Sequence, residues 1–145
     1  MGSDEGSGGY TMPLERGKIR EFAAATGSAS PAYVDDPAPP IPPTFLRTQI
    51  FWSPADGSGP KLPDGLELDV RRILHGQQEY IFFGPPPRAG EELTVTSRVE
   101  SVTEKQGRRG GTMTVIVFVD DFANGEGALV AQGRQTVIQT GRAPS

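Results

Sequence analysis

Apolar and polar positions change rhythm about halfway along the chain. Early on, Ile19, Phe22, Ala23 and Thr26 recur at i, i+3, i+4 and i+7, with Arg16, Lys18, Arg20 and Glu21 on the other side. That period predicts an amphipathic helix. Gly27 reads as its stop, because glycine accepts the left-handed backbone of a helix C′ position. From Arg72 onward the period falls to two. Leu93, Val95 and Val99, and then Met113, Val115, Val117 and Val119, alternate with more polar residues, as in strands with one richer buried face. Strands are predicted over 72–83, 92–102, 112–122 and 128–138. Asn124-Gly125-Glu126-Gly127 joins the last two as a hairpin turn. Gly84 to Gly90 joins the first two, and the basic, glycine-rich Glu104–Gly111 joins the middle pair.

Between these regions, residues 28–43 carry six prolines and form neither regular helix nor central strand. A short helix is predicted from Thr44 to Trp52, stopped by Ser53-Pro54. Its large residues Phe45, Leu46, Ile50, Phe51 and Trp52 fall on nearly all sides, which predicts a helix buried all round. Residues 55–65 read as a surface loop. Residues 1–9 hold no apolar anchor and read as a flexible N-terminus, residues 10–138 as one domain, and residues 139–145 as a loose tail or linker. One buried helix and four long strands are reconciled by an α+β arrangement in which an antiparallel sheet curls around a central helix. Such a sheet leaves an open edge, which predicts pairing with another copy or a relative.

Composition narrows the functional classes. At 145 residues there is material for one modest core. A net charge of −4 offers no general attraction to nucleic acid or anionic membrane, so neither is an expected partner. No apolar run approaches the ~20 residues of a membrane span, and no signal-peptide pattern opens the chain. Cysteine is absent and there is one histidine, which removes thiol chemistry and makes a zinc site unexpected. The expected setting is the cytoplasm.

Five segments occur in a familiar order: Glu15-Arg16-Gly17-Lys18-Ile19-Arg20-Glu21-Phe22-Ala23, Pro42-Pro43-Thr44-Phe45-Leu46, Leu74-His75-Gly76-Gln77-Gln78-Glu79-Tyr80, Arg88-Ala89-Gly90-Glu91-Glu92-Leu93-Thr94-Val95 and Lys105-Gln106-Gly107-Arg108-Arg109-Gly110-Gly111. From about Tyr10 to Ile138 the chain resembles the MaoC-like hydratase/dehydratase family, in its N-terminal-half type. That type includes non-catalytic subunits of heteromeric actinobacterial enzymes. The resemblance implies a single hot-dog fold and a thioester substrate on coenzyme A or an acyl-carrier protein, with no resident cofactor. It also implies a partner of the same fold.

Active members of that family carry Gly-Asp-x-Asn-Pro-(apolar)-His after the first helix, where Asp and His hold the water that adds to a 2-enoyl thioester. Here the stretch reads Gly27-Ser28-Ala29-Ser30-Pro31-Ala32-Tyr33, with Ser28 in place of the Asp and Tyr33 in place of the His. Neither is a competent base near neutral pH, since a tyrosine ordinarily titrates near 10. Where active members begin the central helix with His-Gly, Pro42-Pro43-Thr44 stands. Proline has no N–H to give an oxyanion, while Thr44 retains one. The expected role is therefore a non-catalytic subunit that shapes an acyl tunnel with Thr44, Phe45, Ile50 and Trp52. The catalytic Asp and His would lie on a related partner.

Plainer readings stand beside these. The tunnel residues also read as core. Lys105, Arg108, Arg109 and Gly110 suit the phosphates of coenzyme A, and equally a solvated hairpin turn. His75, beside a glycine and away from the dyad position, reads as structural. Asp35-Asp36 and Asp120-Asp121 read as turn or strand-end carboxylates. The connection from Asp35 to Pro43 is shorter than in many relatives, which suggests a widened tunnel for a bulky acyl group of the sterol-side-chain kind. Two alternatives remain: a subunit of a 3-hydroxyacyl-carrier-protein dehydratase of fatty-acid elongation, and a homodimeric acyl-thioester-binding protein. A thioesterase is disfavoured, because Thr44–Trp52 holds no carboxylate.

Overall fold

A computed structural model describes residues 8–56, 59–109 and 111–141. The expected flexible ends lie largely outside these residues. The chain runs β1 (Tyr10–Pro13), α1 (Arg16–Ala25), α2 (Pro31–Val34), a 3-10 helix (Phe45–Phe51), a 3-10 turn (Val70–Arg72), β2 (Ile73–Phe82), β3 (Glu92–Gln106), β4 (Thr112–Ala123) and β5 (Leu129–Gln139). The strands form one antiparallel sheet in the order β1-β3-β4-β5-β2. This is the single hot-dog fold that the strand pattern and the resemblance both predict.

Helix α1 buries the face its periodicity predicts, with Ile19 and Ala23 inside. Phe22 meets Phe45 edge to face, with ring centroids 5.5 Å apart. Gly27, at φ +78°, ends the helix. Its N–H donates to Ala24 O at 3.1 Å, and the Ser28 N–H reaches back to Ala23 O at 2.9 Å. This is the paired bonding of a Schellman cap.

On the concave face Met12, Leu93, Val95, Phe122 and Ala131 pack against Leu14, Ile19, Ile41, Phe45 and Leu46. The proline-rich connection is pinned beside the β2–β3 turn, where Ile41 N–H donates to Pro87 O and Ala89 N–H to Pro39 O, both at 2.9 Å. Arg88 holds it there through Asp36 at 3.4 Å and Ala38 O at 3.1 Å. The family-like Arg88-Ala89-Gly90 run is thus a structural clasp.

The helix expected to be buried on every side departs from that expectation. It is a seven-residue 3-10 helix, and it buries Phe45, Leu46 and Gln49 while Ile50 is 48% and Phe51 79% exposed. With three residues per turn, side chains stack in straight rows. Rows through Phe45 and Leu46 can therefore start against the sheet and end in solvent. The short strand β1 is also absent from the sequence reading. Its four residues end in Pro13, too few to show alternation, although Tyr10 and Met12 both sit on the concave side.

Candidate functional site

The dyad positions follow directly from the α1 cap. Ser28 is the residue whose N–H closes the Schellman bonding, so Gly27 fixes where its side chain starts. Ser30 and Pro31 open α2, with Ser30 as its N-cap and Pro31 in its first turn. Tyr33 on α2 packs its ring against the core. At the two positions where the resemblance expects an Asp and a His, the cap and α2 present a hydroxyl and a phenol. Among the described residues, Ser28 Oγ accepts only a long bond from Ser30 N–H, at 3.4 Å.

An apolar cavity of about 470 Å³ opens between α1 and the 3-10 helix, and neither Ser28 nor Tyr33 borders it. Its walls include Pro13, Phe22, Ala25, Phe45, Phe51 and Trp52, and it is bordered by the exposed Lys18–Glu21 ion pair at 3.1 Å. Of the sequence-predicted tunnel residues, Phe45 and Trp52 border this cavity. Thr44 and Ile50 do not; both are exposed. Phe22 comes from the predicted face of α1, so the helical period held the signal for it, whereas Ala25 lies off that face. Nothing in the sequence separated Phe51 from a core residue.

The basic turn lies elsewhere. Lys105 is near the end of β3, and Arg108 and Arg109 are exposed at the hairpin tip, while Gly110 lies outside the described residues. Pro13 pairs with Glu92 at the opposite end of β3. At ~3.3 Å per residue the two ends of that strand are roughly 40 Å apart. The turn and the apolar cavity are not brought together within one chain.

A polar row crosses the concave face just beyond the core. Tyr80, Gly133, Asp120 and Ser97 are cross-strand neighbours on β2, β5, β4 and β3. Gly133 leaves room for the Tyr80 ring, since a Cβ there would stand 3.2 Å from Tyr80 Cε1. Asp120 accepts from Gln49 Nε2 at 2.6 Å and from Ser97 Oγ at 2.5 Å. Gln49, 7% exposed, leaves its Oε1 buried with no hydrogen-bond partner among the described residues. Burial, reinforced by the Asp120 charge and opposed by Arg47, pushes the Tyr10 phenol up to about 12. Tyr80 is also raised to about 12, chiefly by burial. Asp120, read from sequence as a strand-end residue, is thus the hub of an interior network. No helix among the described residues is long and apolar enough to cross a membrane.

Fold and site together define a dehydratase-type hot dog. Residues 3–133 match the family model described as "FAS1-like, dehydratase domain region", and the chain belongs to that family. Among curated proteins it is similar to a UPF0336 protein of Streptomyces coelicolor, 41% identical over 108 residues, covering 67% of this chain and 69% of the relative. A UPF0336 protein of Parafrankia sp. is 34% identical over 143 residues, covering 92% and 89%. Among solved structures, the ChsH1-ChsH2 complex from Mycobacterium tuberculosis matches with TM-score 0.71 at 17% identity, over 97% of this chain and 87% of that one. The C-terminally truncated HadBC (3R-hydroxyacyl-ACP dehydratase) complex from the same organism matches with TM-score 0.62 at 20% identity, over 95% and 99%. A MaoC-like dehydratase from Phytophthora capsici gives 0.67 at 20% identity, over 95% of this chain and 47% of that one. At these identities the structural likeness establishes the fold.

Proposed function

We propose that this chain is the non-catalytic, tunnel-forming subunit of a heteromeric enoyl-CoA hydratase. A related hot-dog partner supplies the Asp and His, and the pair adds water across a trans-2-enoyl thioester to give the 3-hydroxyacyl thioester. The carrying observation is the α1 cap and α2 start, which carry Ser28 and Tyr33 at the positions where the resemblance expects a carboxylate and an imidazole. A fold kept to that detail without its proton-moving pair fits a subunit whose work is shape. The apolar cavity between α1 and the 3-10 helix takes the acyl chain, bordered by Phe45 and Trp52. That two solved neighbours are named as complexes agrees with a partner of the same fold.

Coenzyme A enters as part of the substrate, in the cytoplasm, and no resident cofactor is required. The basic turn Lys105, Arg108, Arg109 and Gly110 serves the phosphates of a thioester bound across the assembled pair. The short connection from Asp35 to Pro43 leaves the tunnel wide enough for bulky acyl groups, the steroid side chain among them. The second reading is a dehydratase subunit acting on a carrier-protein thioester, supported by the HadBC likeness.

The test is to purify the chain alone and with a dyad-bearing hot-dog partner, then assay both directions on short, long and bulky thioesters of each carrier. Hydration appearing only in the pair supports the proposal, and activity of the lone chain overturns it. Inert homodimers that ignore the partner favour a thioester-binding protein instead.

A further inference from the structure

A second cavity, of about 480 Å³, plays no part in the reading above. It is bordered by Arg47 of the 3-10 helix, by His75, Gly76, Gln77 and Gln78 of β2, and by Gln135 of β5. It lies off a different row of the 3-10 helix. Phe45, Thr48 and Phe51, three apart, border the apolar cavity, whereas Arg47 belongs to the row that continues through Ile50.

Three features mark it as built. Strand β2 carries a bulge between His75 and Gln77, and bulges re-aim the side chains around them. Gly76 in that bulge is closely approached, since a Cβ would stand 3.1 Å from Ile138 Cδ1 and 3.3 Å from Thr136 O. The His75 ring is held by Gln135, whose Nε2 lies 3.1 Å from Nδ1. An amide nitrogen only donates, so in this arrangement Nδ1 accepts and the imidazole keeps Nε2–H as a free donor.

The decisive group is Arg47. It is half-buried and forms no ion pair among the described residues, and the cavity border contains no carboxylate. Asp120, whose charge opposes that of Arg47 at Tyr10 and Tyr80, is instead hydrogen-bonded to Gln49 and Ser97. A guanidinium fork facing neutral amides and an imidazole is matched to a planar or tetrahedral oxyanion.

We propose that this cavity is an oxyanion site that takes a carboxylate or phosphate group on Arg47, with His75 and the glutamine amides as neutral hydrogen-bonding partners. The site belongs to this chain alone, so it stands or falls independently of the partner-subunit reading.

The test is a nuclear magnetic resonance titration of the full chain with sodium acetate and, separately, inorganic phosphate, with sodium chloride as the ionic-strength control. Saturable shifts are expected at the side-chain amides of Gln78 and Gln135 and at the His75 ring. The stronger of the two titrants identifies the source. Arg47→Gln should weaken binding roughly tenfold, the loss of one charge-assisted bond. Arg20→Gln, on the exposed face of α1, should leave it unchanged. If Arg47→Gln fails to fold, Gln135→Leu provides the same reading by removing an amide and the hold on His75. Shifts that chloride reproduces, that never saturate, or that survive both cavity variants overturn the proposal.

Discussion

The concave face of one sheet is built in two ways within a few residues of strand. In one row Phe82, Ala131, Phe122 and Val95 are cross-strand neighbours, and the last three are fully buried under α1 and the start of the 3-10 helix. Two residues along the same strands, the row is Tyr80, Gly133, Asp120 and Ser97, and two further it includes Gln78, Gln135 and Phe118. The strands do not change character; their cover does. Seven residues of 3-10 helix span about 14 Å at ~2 Å per residue, far less than the 15-residue strand β3 beneath. Where cover is complete the face is apolar and packed. Where cover runs out, the side chains become hydrogen-bonding ones and a polar cavity opens. Along this stretch the length of the covering helix decides where the sheet is core and where it is site, while further on Ile116 and Val137 are buried again.

The largest expected effect breaks the packed half. Phe122→Ala removes the largest fully buried side chain, and should cost about 3–5 kcal/mol in denaturant unfolding. A loss under about 1 kcal/mol would mean that this row is not core. The polar half should respond less, and by a different route. Asp120→Ala strands the donors of Gln49 and Ser97 and should cost about 1–3 kcal/mol. Gln49→Leu discards a side chain whose Oε1 already lacks a partner. The double variant should therefore lose less than the sum of the single losses. Strict additivity would show that the network is not coupled.

That contrast also explains what the sequence could and could not show. The four long strands and their turns were legible, because period-two alternation and Asn124-Gly125-Glu126-Gly127 act through local geometry. Helix α1 and its Gly27 stop were legible for the same reason, and with them the frame around Ser28 and Tyr33. The polar row was not. Tyr80, Asp120 and Ser97 come from three strands and meet only through sheet register, while Gln49 arrives from a helix too short to show a period. The all-round apolar look of Thr44–Trp52 pointed to burial, yet the 3-10 winding turned Ile50 and Phe51 outward. Composition reported hydrophobicity there; it could not report that the helix would end before covering its residues.

The interior tyrosines give an intermediate effect with a defined sign. Tyr10 and Tyr80 ionise near 12 in the folded protein against an ordinary 10.0. Between those values the unfolded chain sheds phenolic protons that the folded chain keeps, so stability falls as pH rises through that window and is fully present below it. Discounted for their partial exposure, the loss should be about 1 kcal/mol for each. Tyr10→Phe and Tyr80→Phe should each flatten the alkaline limb of the unfolding curve. Ultraviolet phenolate absorbance that is complete near pH 10 would contradict the burial of this row.

The smallest effect belongs to the outer face, where neither cover nor cavity is at stake. Arg134 forks onto Glu100, with Nη1 donating to Oε1 at 2.8 Å and Nη2 to Oε2. Their side chains are 31% and 38% exposed. The Arg134 hydrogen bonds hold the Glu100 carboxyl below the usual carboxylate range. Its contribution is therefore present above that range and is lost as pH falls through the lowered folded value. Exposed pairs of this kind contribute little, and less in high salt. Yet Arg134 and Arg98 are the cross-strand neighbours of Val119, which is fully buried on a face that otherwise meets solvent. The aliphatic stems of both arginines can supply that cover. Arg134→Ala should therefore cost more than Glu100→Gln, and the excess should persist in high salt where the ion pair fades. Equal losses that vanish together in salt would reduce Arg134 to its charge and leave the burial of Val119 to Arg98 alone.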